Sequence, residues 1–374
     1  MADSQIPHLK ALLGGRRGGL SRGRGRGRGR GGFGASHGEH EAIVDDAVRG
    51  TDQDAAGSRV SCVELGYLDD PYAKLFATRP STRRLPLLNR GSYVRTSAID
   101  LLIDRFLTTS PSSPKQIISL GAGTDTRYFR LRDKYPNTHI LYHEIDFPMN
   151  TAAKLISIHQ HAQLHTKLTE STFNIVPTQT SYYAPSYNLH SFDLRALATS
   201  TAETPPPHLP NLDRSIPTLI LSEMCLVYLP VTTVSAIMST FLNHYLSPST
   251  PASLILYEPI LPQDAFGRTM ISNLATRNIH LPTLHAYPEL GDQRARLRQY
   301  GLTDGSRAAD NHFIWKEWVS EGEKERVAGL EMLDELEELD LLLRHYCVAW
   351  GWRDGGANGV FSTAWRDVGE QDGG

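Results

Sequence analysis

The spacing of apolar residues predicts helices and strands that alternate along most of the chain. Between residues 90 and 107, Ile99, Leu102, Ile103 and Phe106 recur at helical spacing, which predicts an amphipathic helix. Helices are also predicted from Pro148 to about His161 and over 231–245. Short apolar runs predict strands over 116–120, 139–146, 187–193, 218–222 and 254–257. This alternation is typical of an α/β protein with a mostly parallel sheet and right-handed crossovers.

The remaining stretches are predicted to flank or interrupt this α/β core. Residues 1–45 carry an Arg-Gly repeat over 22–32 and too few apolar side chains to offset the entropy of ordering, so we predict a disordered tail. Regular structure is expected from near Val60. The Pro-rich stretch 200–216 predicts a loop insertion, and residues 366–374 are expected to be flexible. We therefore predict a single domain over residues 46–365.

A long helical region rich in Glu and Leu is predicted over residues 316–344. Its acidic residues suit the solvent-exposed face of an amphipathic helix better than a binding site. They are Glu331, Asp334, Glu335, Glu337 and Glu338.

Charge is distributed unevenly along the 374 residues, of which 40% are hydrophobic and 21% charged. Residues 1–35 contain Lys10 and seven arginines against Asp3, a net charge of +7, whereas the whole chain carries −3. The rest of the chain therefore carries −10. Arg-Gly runs can bind RNA, so weak RNA binding by the tail stays open, although a solvated tail is the favoured interpretation.

Three cysteines, Cys62, Cys225 and Cys347, lie far apart and fit no zinc-binding spacing. No apolar run approaches the roughly 18 residues that a membrane span needs. The first residues lack the apolar segment of a signal peptide. We therefore expect a cytoplasmic protein without a metal ion or membrane contact. We also expect a monomer.

The first predicted strand ends in a glycine turn, Gly121-Ala122-Gly123, before a predicted helix. A dinucleotide fingerprint would place its third glycine at Thr126, which weakens a diphosphate-binding interpretation. Asp146 ends the second predicted strand, where a carboxylate can accept hydrogen bonds from two ribose hydroxyls. The pattern favours binding of an adenosyl cofactor that has no diphosphate. The alternative is that Asp146 only caps the turn that follows it.

Six segments then occur in a characteristic order. They are Asp69-Asp70-Pro71-Tyr72, Asn89-Arg90-Gly91 with Arg95, residues 120–126, Glu144-Ile145-Asp146-Phe147-Pro148-Met149, residues 222–228 and Leu343-Arg344-His345-Tyr346-Cys347. Together they resemble the leucine carboxyl methyltransferase family, over about residues 50 to 350. The resemblance implies a Rossmann-like class I S-adenosylmethionine-dependent methyltransferase, with a mostly parallel sheet and helical additions that form a substrate lid. It also implies an acceptor, the C-terminal leucine of the protein phosphatase 2A catalytic subunit, bound through its C-terminal tail and active-site face.

The resemblance further implies roles for individual residues. Arg95 would pair with the methionine carboxylate of S-adenosylmethionine, and Glu223 with its ammonium group. Gly121 would lie against the cofactor and Asp146 would bind the ribose. The adenine would be flanked by Asp193 and Leu194. Arg59 stands where a family lysine is expected near the cofactor.

No catalytic acid or base is expected for this reaction. An α-carboxylate has a pKa of about 3.3–3.7, so the nucleophile is already ionised at neutral pH. Tyr228 and Arg344 are candidate contacts to the incoming peptide. His345 is interpreted as a structural hydrogen-bonding residue.

Three alternatives remain open from the sequence. A relative acting on a hypermodified tRNA guanosine would need β-propeller blades of about 50 residues each, for which the residues after Cys347 leave no room. A non-catalytic phosphatase- or RNA-binding module need not keep Arg95, Gly121, Asp146 and Glu223 together. A nicotinamide oxidoreductase is disfavoured by the missing third glycine.

Overall fold

The apolar runs form one eight-stranded sheet. The computed structural model describes residues 37–78, 80, 82–168, 178–201, 203–355 and 359–372. The strands are β1 (Lys115–Leu120), β2 (Ile140–Asp146), β3 (Tyr182–Tyr183), β4 (Tyr187–Ser191), β5 (Thr218–Glu223), β6 (Ala252–Pro259), β7 (Gly305–Asp310) and β8 (Tyr346–Arg353).

Fifteen α-helices lie in the described part of the chain. They are α1 (His37–Glu64), α2 (Ala73–Phe76), α3 (Pro86–Thr108), α4 (Arg127–Lys134), α5 (Pro148–Gln160), α6 (Ala162–His165), α7 (Arg195–Ala198), α8 (Val231–Ser239), α9 (Ala265–Ala275), α10 (Pro282–Ala286), α11 (Leu290–Gln299), α12 (Asn311–Glu317), α13 (Glu321–Ala328), α14 (Leu336–Arg344) and α15 (Val360–Ala364). A 3-10 turn (Leu226–Tyr228) and a π-helical segment (Thr240–Tyr245) complete the helical elements.

The strand order is β3-β4-β2-β1-β5-β6-β8-β7. The five strands from β4 to β6 pair in parallel, whereas β3, β8 and β7 join antiparallel. All residues of β1, β2 and β6 are buried, as expected where helices cover both faces of a parallel sheet. The chain passes from β1 to β2 on one side, and β5 pairs with β1 on the other. The carboxyl ends of these strands therefore flank a topological switch point, where ligands bind in open α/β sheets.

Helix α3 confirms the predicted amphipathic helix. Ile99, Leu102, Ile103 and Phe106 are all buried. The helix packs against α12, α14 and α15, which follow the parallel strands in the chain. On the other face of the sheet, α8 and α11 contribute Val234, Ile237 and Leu297 to a second cluster of buried apolar residues. The predicted α/β fold with helices on both faces is thus confirmed.

The N-terminal boundary differs from the sequence-based expectation. Helix α1 begins at His37, so residues 37–45, which we assigned to the disordered tail, are helical, and regular structure starts well before Val60. Ala56, Val60 and Cys62 are buried near the end of this helix, whereas polar contacts of Asp45 and Asp52 join its earlier turns to the body of the protein. Residues 1–36 lie outside the described residues, and their disorder remains a prediction.

The acidic region 316–344 also differs from its prediction. It contains parts of three short helices, α12, α13 and α14, rather than one long helix. Glu331 lies between α13 and α14 and is only 5% exposed. It accepts hydrogen bonds from Arg83 (2.6 Å) and Asn89 (2.8 Å), so the expectation that it faces solvent was wrong. Two partners distant in sequence account for the difference: the buried amide of Asn89 and the guanidinium of Arg83, whose side chain is itself exposed.

Three further sequence-based predictions differ from the structure in smaller ways. The helix predicted over 231–245 becomes π-helical from Thr240. The strand predicted to reach residue 193 ends at Ser191. Residues 366–372, the described part of the C-terminal segment that we expected to be flexible, pack against β7, where the Gln371 amide nitrogen donates to the Ala308 carbonyl (3.2 Å). Residues 200–216, residue 202 excepted, contain no helix or strand and form the expected loop.

Candidate functional site

A cavity of about 870 Å³ lies at the carboxyl ends of β1, β2 and β5, and helix α1 forms one wall of it. The structure brings eight of the singled-out residues to its lining: Arg59, Arg95, Gly121, Asp146, Asp193, Leu194, Glu223 and Tyr228. Arg344 and His345 are not among the lining residues.

The glycine turn that follows β1 depends on both of its glycines. Gly121 and Gly123 have φ angles of +60° and +44°, in the left-handed region that side chains disfavour. A Cβ atom on Gly121 would lie 2.6 Å from the sulfur of Cys225, and one on Gly123 would lie 2.2 Å from a carboxylate oxygen of Asp52. Glycine therefore lets α1 and the segment after β5 approach the turn closely.

Asp146, at the end of β2, connects the glycine turn with helix α5. One carboxylate oxygen accepts from the Gly123 amide nitrogen (2.6 Å), and the other accepts from the Phe147 amide nitrogen (2.7 Å) and Asn150 Nδ2 (2.9 Å). Burial raises the pKa of Asp146, although these donors oppose the shift. A carboxylate has about four acceptor positions, so roughly one remains for a ligand unless a protein donor is displaced. The turn-capping alternative and the ligand-binding interpretation are therefore compatible.

Glu223, the last residue of β5, lies between two arginines. One oxygen accepts from Arg95 Nε and the other from Arg127 Nη1 (2.7 Å). Burial alone would raise the pKa of Glu223, but the charges of Arg127 and Arg95 outweigh it and lower the pKa. Glu223 is therefore ionised at neutral pH. The guanidinium of Arg95 also lies 4.8 Å from the ring centre of Tyr257.

Arg127 is a buried charged residue beside the candidate site that sequence reasoning missed. Its side chain is 2% exposed and also binds Asp125 (2.7 Å) and Asp100 (3.1 Å). The sequence signal that could have identified Arg127 was its position at the start of α4, directly after the glycine turn. Because arginines at helix starts are ordinarily exposed, this position did not indicate a buried side chain. Its charge balances carboxylates that surround the cavity.

Helix α1 was the second omission. Asp52 accepts hydrogen bonds from the Thr124 amide nitrogen (2.7 Å) and the Thr124 hydroxyl (2.8 Å), so a side chain of α1 caps the glycine turn. Arg59, nearer the end of α1, donates to Asp70, which also accepts from the Thr126 hydroxyl (2.6 Å). The terminal nitrogen Nη2 of Arg59 is buried without a partner among the described residues. An unpartnered buried donor beside a cavity favours an acceptor ligand there.

Asp193 and Leu194 lie at the start of α7. Asp193 accepts from the Arg195 amide nitrogen (2.9 Å) and pairs with the Arg195 guanidinium (Nε at 2.8 Å). The same guanidinium reaches Asp45 of α1 (2.5 Å), which joins the helix to this end of the cavity. Leu194 is 8% exposed and supplies an apolar surface to the cavity.

The remaining candidates lie in three different places: in the cavity, on the protein surface and in the protein interior. Burial raises the pKa of Tyr228, which lines the cavity, to about 12, so its phenol stays protonated. Arg344 is exposed and contacts His312 (3.4 Å). His345 is buried and bonds the Leu341 carbonyl through Nδ1 (2.7 Å) and the Asp264 carboxylate through Nε2 (2.9 Å). These contacts agree with a structural role for His345.

The cavity lining is acidic overall. Seven carboxylate residues contribute to it, against the four arginines Arg49, Arg59, Arg95 and Arg195. The carboxylates are Asp45, Asp52, Asp54, Asp125, Asp146, Asp193 and Glu223. A lining of this charge favours a ligand with a net positive charge, such as the sulfonium cofactor that the resemblance implies.

Other classes of site find little support in the described part of the chain. No three His, Cys, Asp or Glu side chains there are grouped so as to hold a metal ion. Nor does any of its helices combine the length and apolar character needed to cross a membrane.

Known proteins resemble this chain closely. The sequence profile of the leucine carboxyl methyltransferase family matches residues 47–242. Leucine carboxyl methyltransferase 1 of Aspergillus fumigatus is 49% identical over 397 aligned residues, which cover 100% of both chains. The protein of that name from Emericella nidulans is 48% identical over 98% of each chain. Its counterpart in Yarrowia lipolytica is 39% identical over 82% of this chain and 97% of its own.

Proposed function

Because the chain belongs to the leucine carboxyl methyltransferase family, we propose that it methylates the C-terminal leucine α-carboxylate of a protein phosphatase 2A catalytic subunit, forming a methyl ester. The chain is an S-adenosylmethionine-dependent methyltransferase. Full-length identity to relatives named for leucine carboxyl methylation supports a leucine carboxylate as the acceptor group, and the family resemblance implies the phosphatase subunit that carries it. An acidic cavity at the switch point, lined by the expected cofactor-binding residues, supports S-adenosylmethionine as the methyl donor.

The methionine end of the cofactor is proposed to lie between Arg95 and Glu223. Among the described residues Arg95 uses only Nε, and its side chain is 28% exposed, so its terminal nitrogens can form the paired bonds to a carboxylate that suit a guanidinium. Each Glu223 oxygen accepts one arginine donor and keeps a further acceptor position for an ammonium group.

The adenosine end is proposed to lie between β2 and α7. Asp146 would accept from the ribose, with Gly121 leaving space at the turn. Asp193 would accept from the adenine amino group, and Leu194 would cover the ring. Arg59, whose Nη2 lacks a partner within the described residues, would donate to the cofactor.

The protein's part in the reaction is alignment and removal of water. S-adenosylmethionine supplies an electrophilic methyl group together with its own leaving group. The acceptor carboxylate is ionised at neutral pH, so no side chain has to remove a proton. Tyr228, with its raised pKa, can donate a hydrogen bond that orients the carboxylate but cannot serve as a base. Alignment of this kind can contribute roughly 7–11 kcal/mol.

The cellular setting belongs to the same proposal. We expect the protein to act in the cytoplasm as a monomer that meets the C-terminal tail and active-site face of the phosphatase subunit. The helices around the cavity, α1 above all, would form the substrate lid. Arg344 lies outside the cavity and could contact only the outer surface of the acceptor.

Transfer of label from S-adenosylmethionine to the phosphatase catalytic subunit tests the proposal. We expect base-labile label on the full-length subunit and none on a subunit that lacks its last leucine. Cofactor binding without label on either subunit would contradict the proposed acceptor and make transfer RNA the next candidate.

A further inference from the structure

Tyr257 is a buried aromatic residue that contacts a side chain of the candidate site and is not among the residues that line the cavity. It lies near the end of β6 and pairs in parallel register with Glu223 of β5, so both side chains leave the same face of the sheet. Both contact Arg95, which projects from α3. Glu223 accepts from Nε of that arginine, and its guanidinium carbon lies 4.8 Å from the centre of the Tyr257 ring.

The ring of Tyr257 is held by contacts that lie outside the cavity. It is 5% exposed, and its hydroxyl accepts a hydrogen bond from Nδ2 of Asn311 (3.1 Å), at the start of α12. The ring of Tyr346, in β8, stacks on it with 5.7 Å between the ring centres and 10° between the planes. Burial raises the pKa of Tyr257, so the ring meets Arg95 as a neutral phenol.

Support from a carboxylate and a ring leaves the outer edge of the guanidinium free. A guanidinium donates hydrogen bonds only in its own plane, whereas an aromatic ring attracts it through the ring face. Glu223 occupies Nε, and within the described part of the chain neither terminal nitrogen of Arg95 has a hydrogen-bond partner. The ring therefore restrains the guanidinium without using any of its donors. Both terminal nitrogens can then point together at one carboxylate.

Building on the proposed binding of the cofactor's methionine end, we propose that Tyr257 is a positioning residue for S-adenosylmethionine. Its ring holds the guanidinium of Arg95 in the orientation that pairs with the methionine carboxylate. Tyr346 contributes through the ring of Tyr257. Because the ring acts through Arg95, its effect is confined to ligands that carry this carboxylate.

Two uncharged thioethers isolate that effect. S-adenosylhomocysteine, the demethylated cofactor, keeps the amino-acid end, whereas 5′-methylthioadenosine has the same adenosine and sulfur without it. Both are titrated by calorimetry into wild-type protein, Tyr257→Leu, Tyr257→Phe and the matched control Tyr245→Leu. Tyr245 is also a buried ring, donates to the Pro207 carbonyl (2.5 Å) and belongs to the other cluster of buried apolar residues.

Wild-type protein is expected to bind S-adenosylhomocysteine at least about tenfold more tightly than 5′-methylthioadenosine, as hydrogen bonds between charged groups predict. Tyr257→Leu should weaken binding of S-adenosylhomocysteine by about fivefold or more, the effect of losing a cation–π contact. Its affinity for 5′-methylthioadenosine should change by less than about twofold, as for a site that the substitution does not touch. Tyr257→Phe, which retains the ring, should keep most of the preference, and Tyr245→Leu should keep all of it.

An equal loss of affinity for both ligands in Tyr257→Leu would overturn the proposal, as would no loss at all. A Tyr257→Phe variant that behaves like Tyr257→Leu would do the same, because the ring would then not be the operative group. If Tyr257→Leu does not fold, Tyr346→Leu, at a half-buried residue, replaces it. This variant removes the ring behind Tyr257 and should weaken binding of S-adenosylhomocysteine alone, so an unchanged preference would contradict the proposal.

Arg95→Met tests the proposed function separately. If that variant keeps the full preference for S-adenosylhomocysteine, the proposed placement of the methionine carboxylate at Arg95 is wrong. The titrations contain no phosphatase, so an error in the proposed acceptor would leave every one of these affinities unchanged.

Discussion

Replacement of Arg127 by methionine should reveal how strongly the charge network beside the cavity stabilises the fold. The guanidinium is 2% exposed and binds Glu223 and Asp125 at 2.7 Å and Asp100 at 3.1 Å. Methionine keeps much of the aliphatic volume and removes the charge. Three carboxylates, whose side chains are 13% to 27% exposed, would then lose a shared counter-ion.

The expected loss lies at the lower end of the range for such changes. Breaking a buried ion pair typically costs about 3–5 kcal/mol. Glu223 would keep Arg95, and Asp100 would keep Arg130 (2.6 Å), so each retains one cation. We therefore expect a loss of about 3 kcal/mol. Unfolding entropy of about 2.1 cal/mol/K per residue over a chain of this length converts that loss into a Tm decrease of about 4 °C.

The effect should depend on pH in a defined direction. The pKa of Glu223 is lowered in the folded protein, so its contribution to stability is present above the unfolded pKa of about 4.3 and is lost as pH falls through the folded value. The Tm difference between wild type and Arg127→Met should therefore be largest near pH 7 and shrink below about pH 4.

Scanning calorimetry at several pH values provides the assay. Arg132→Met is the matched control on the same helix, because Arg132 is half-buried and, among the described residues, donates only to the Thr138 carbonyl (3.3 Å). It should lower stability by about 1 kcal/mol or less. Equal Tm values for Arg127→Met and wild type at pH 7 would refute the reasoning, as would a difference that grows as pH falls.

Three further substitutions separate binding, stability and chemistry. Asp146→Ala should weaken S-adenosylmethionine binding by at least about tenfold in calorimetry, because a charge-assisted bond is worth roughly 1.5–3 kcal/mol; unchanged affinity would contradict its proposed role. Lys154→Met should cost about 3–5 kcal/mol in denaturant unfolding, since it removes the cation beside the buried Glu144 (2.5 Å) and leaves that carboxylate with the neutral Tyr187 hydroxyl (2.8 Å). A loss under about 1 kcal/mol, the range expected for the partly exposed ion pair of Lys167 with Asp133, would count against that estimate. His345→Gln should leave single-turnover transfer within about threefold of wild type, and a variant that binds cofactor without transfer would disprove the mechanism without a general base.

The sequence was most informative where local pattern and backbone geometry coincide. Gly121, Asp146 and Glu223 stand at the carboxyl ends of apolar runs, and such ends meet at one edge of a parallel sheet. Strand patterning alone could therefore predict that these residues lie together. Arg95 and Leu194 required the family resemblance, since nothing in their local pattern separates them from ordinary helix residues.

Residues whose role depends on distant polar contacts were not predictable in this way. Helix α1 has too few apolar residues to be separated from the tail by periodicity, and Asp52 reaches the glycine turn across 72 positions of sequence. Glu331 was assigned to solvent because its neighbours are acidic, although its partner Arg83 lies 248 positions away. Tertiary packing determines where these residues lie, and it leaves no local pattern in a single sequence from which their positions could be predicted.

The most direct test of the account locates the transferred methyl group. After reaction with S-adenosylmethionine, the phosphatase catalytic subunit is digested and its C-terminal peptide is fragmented in a mass spectrometer. Our account expects one methyl group on the α-carboxylate of the final leucine. A methyl group on an aspartate or glutamate side chain, which would also be base-labile, or on any residue outside that peptide would contradict it.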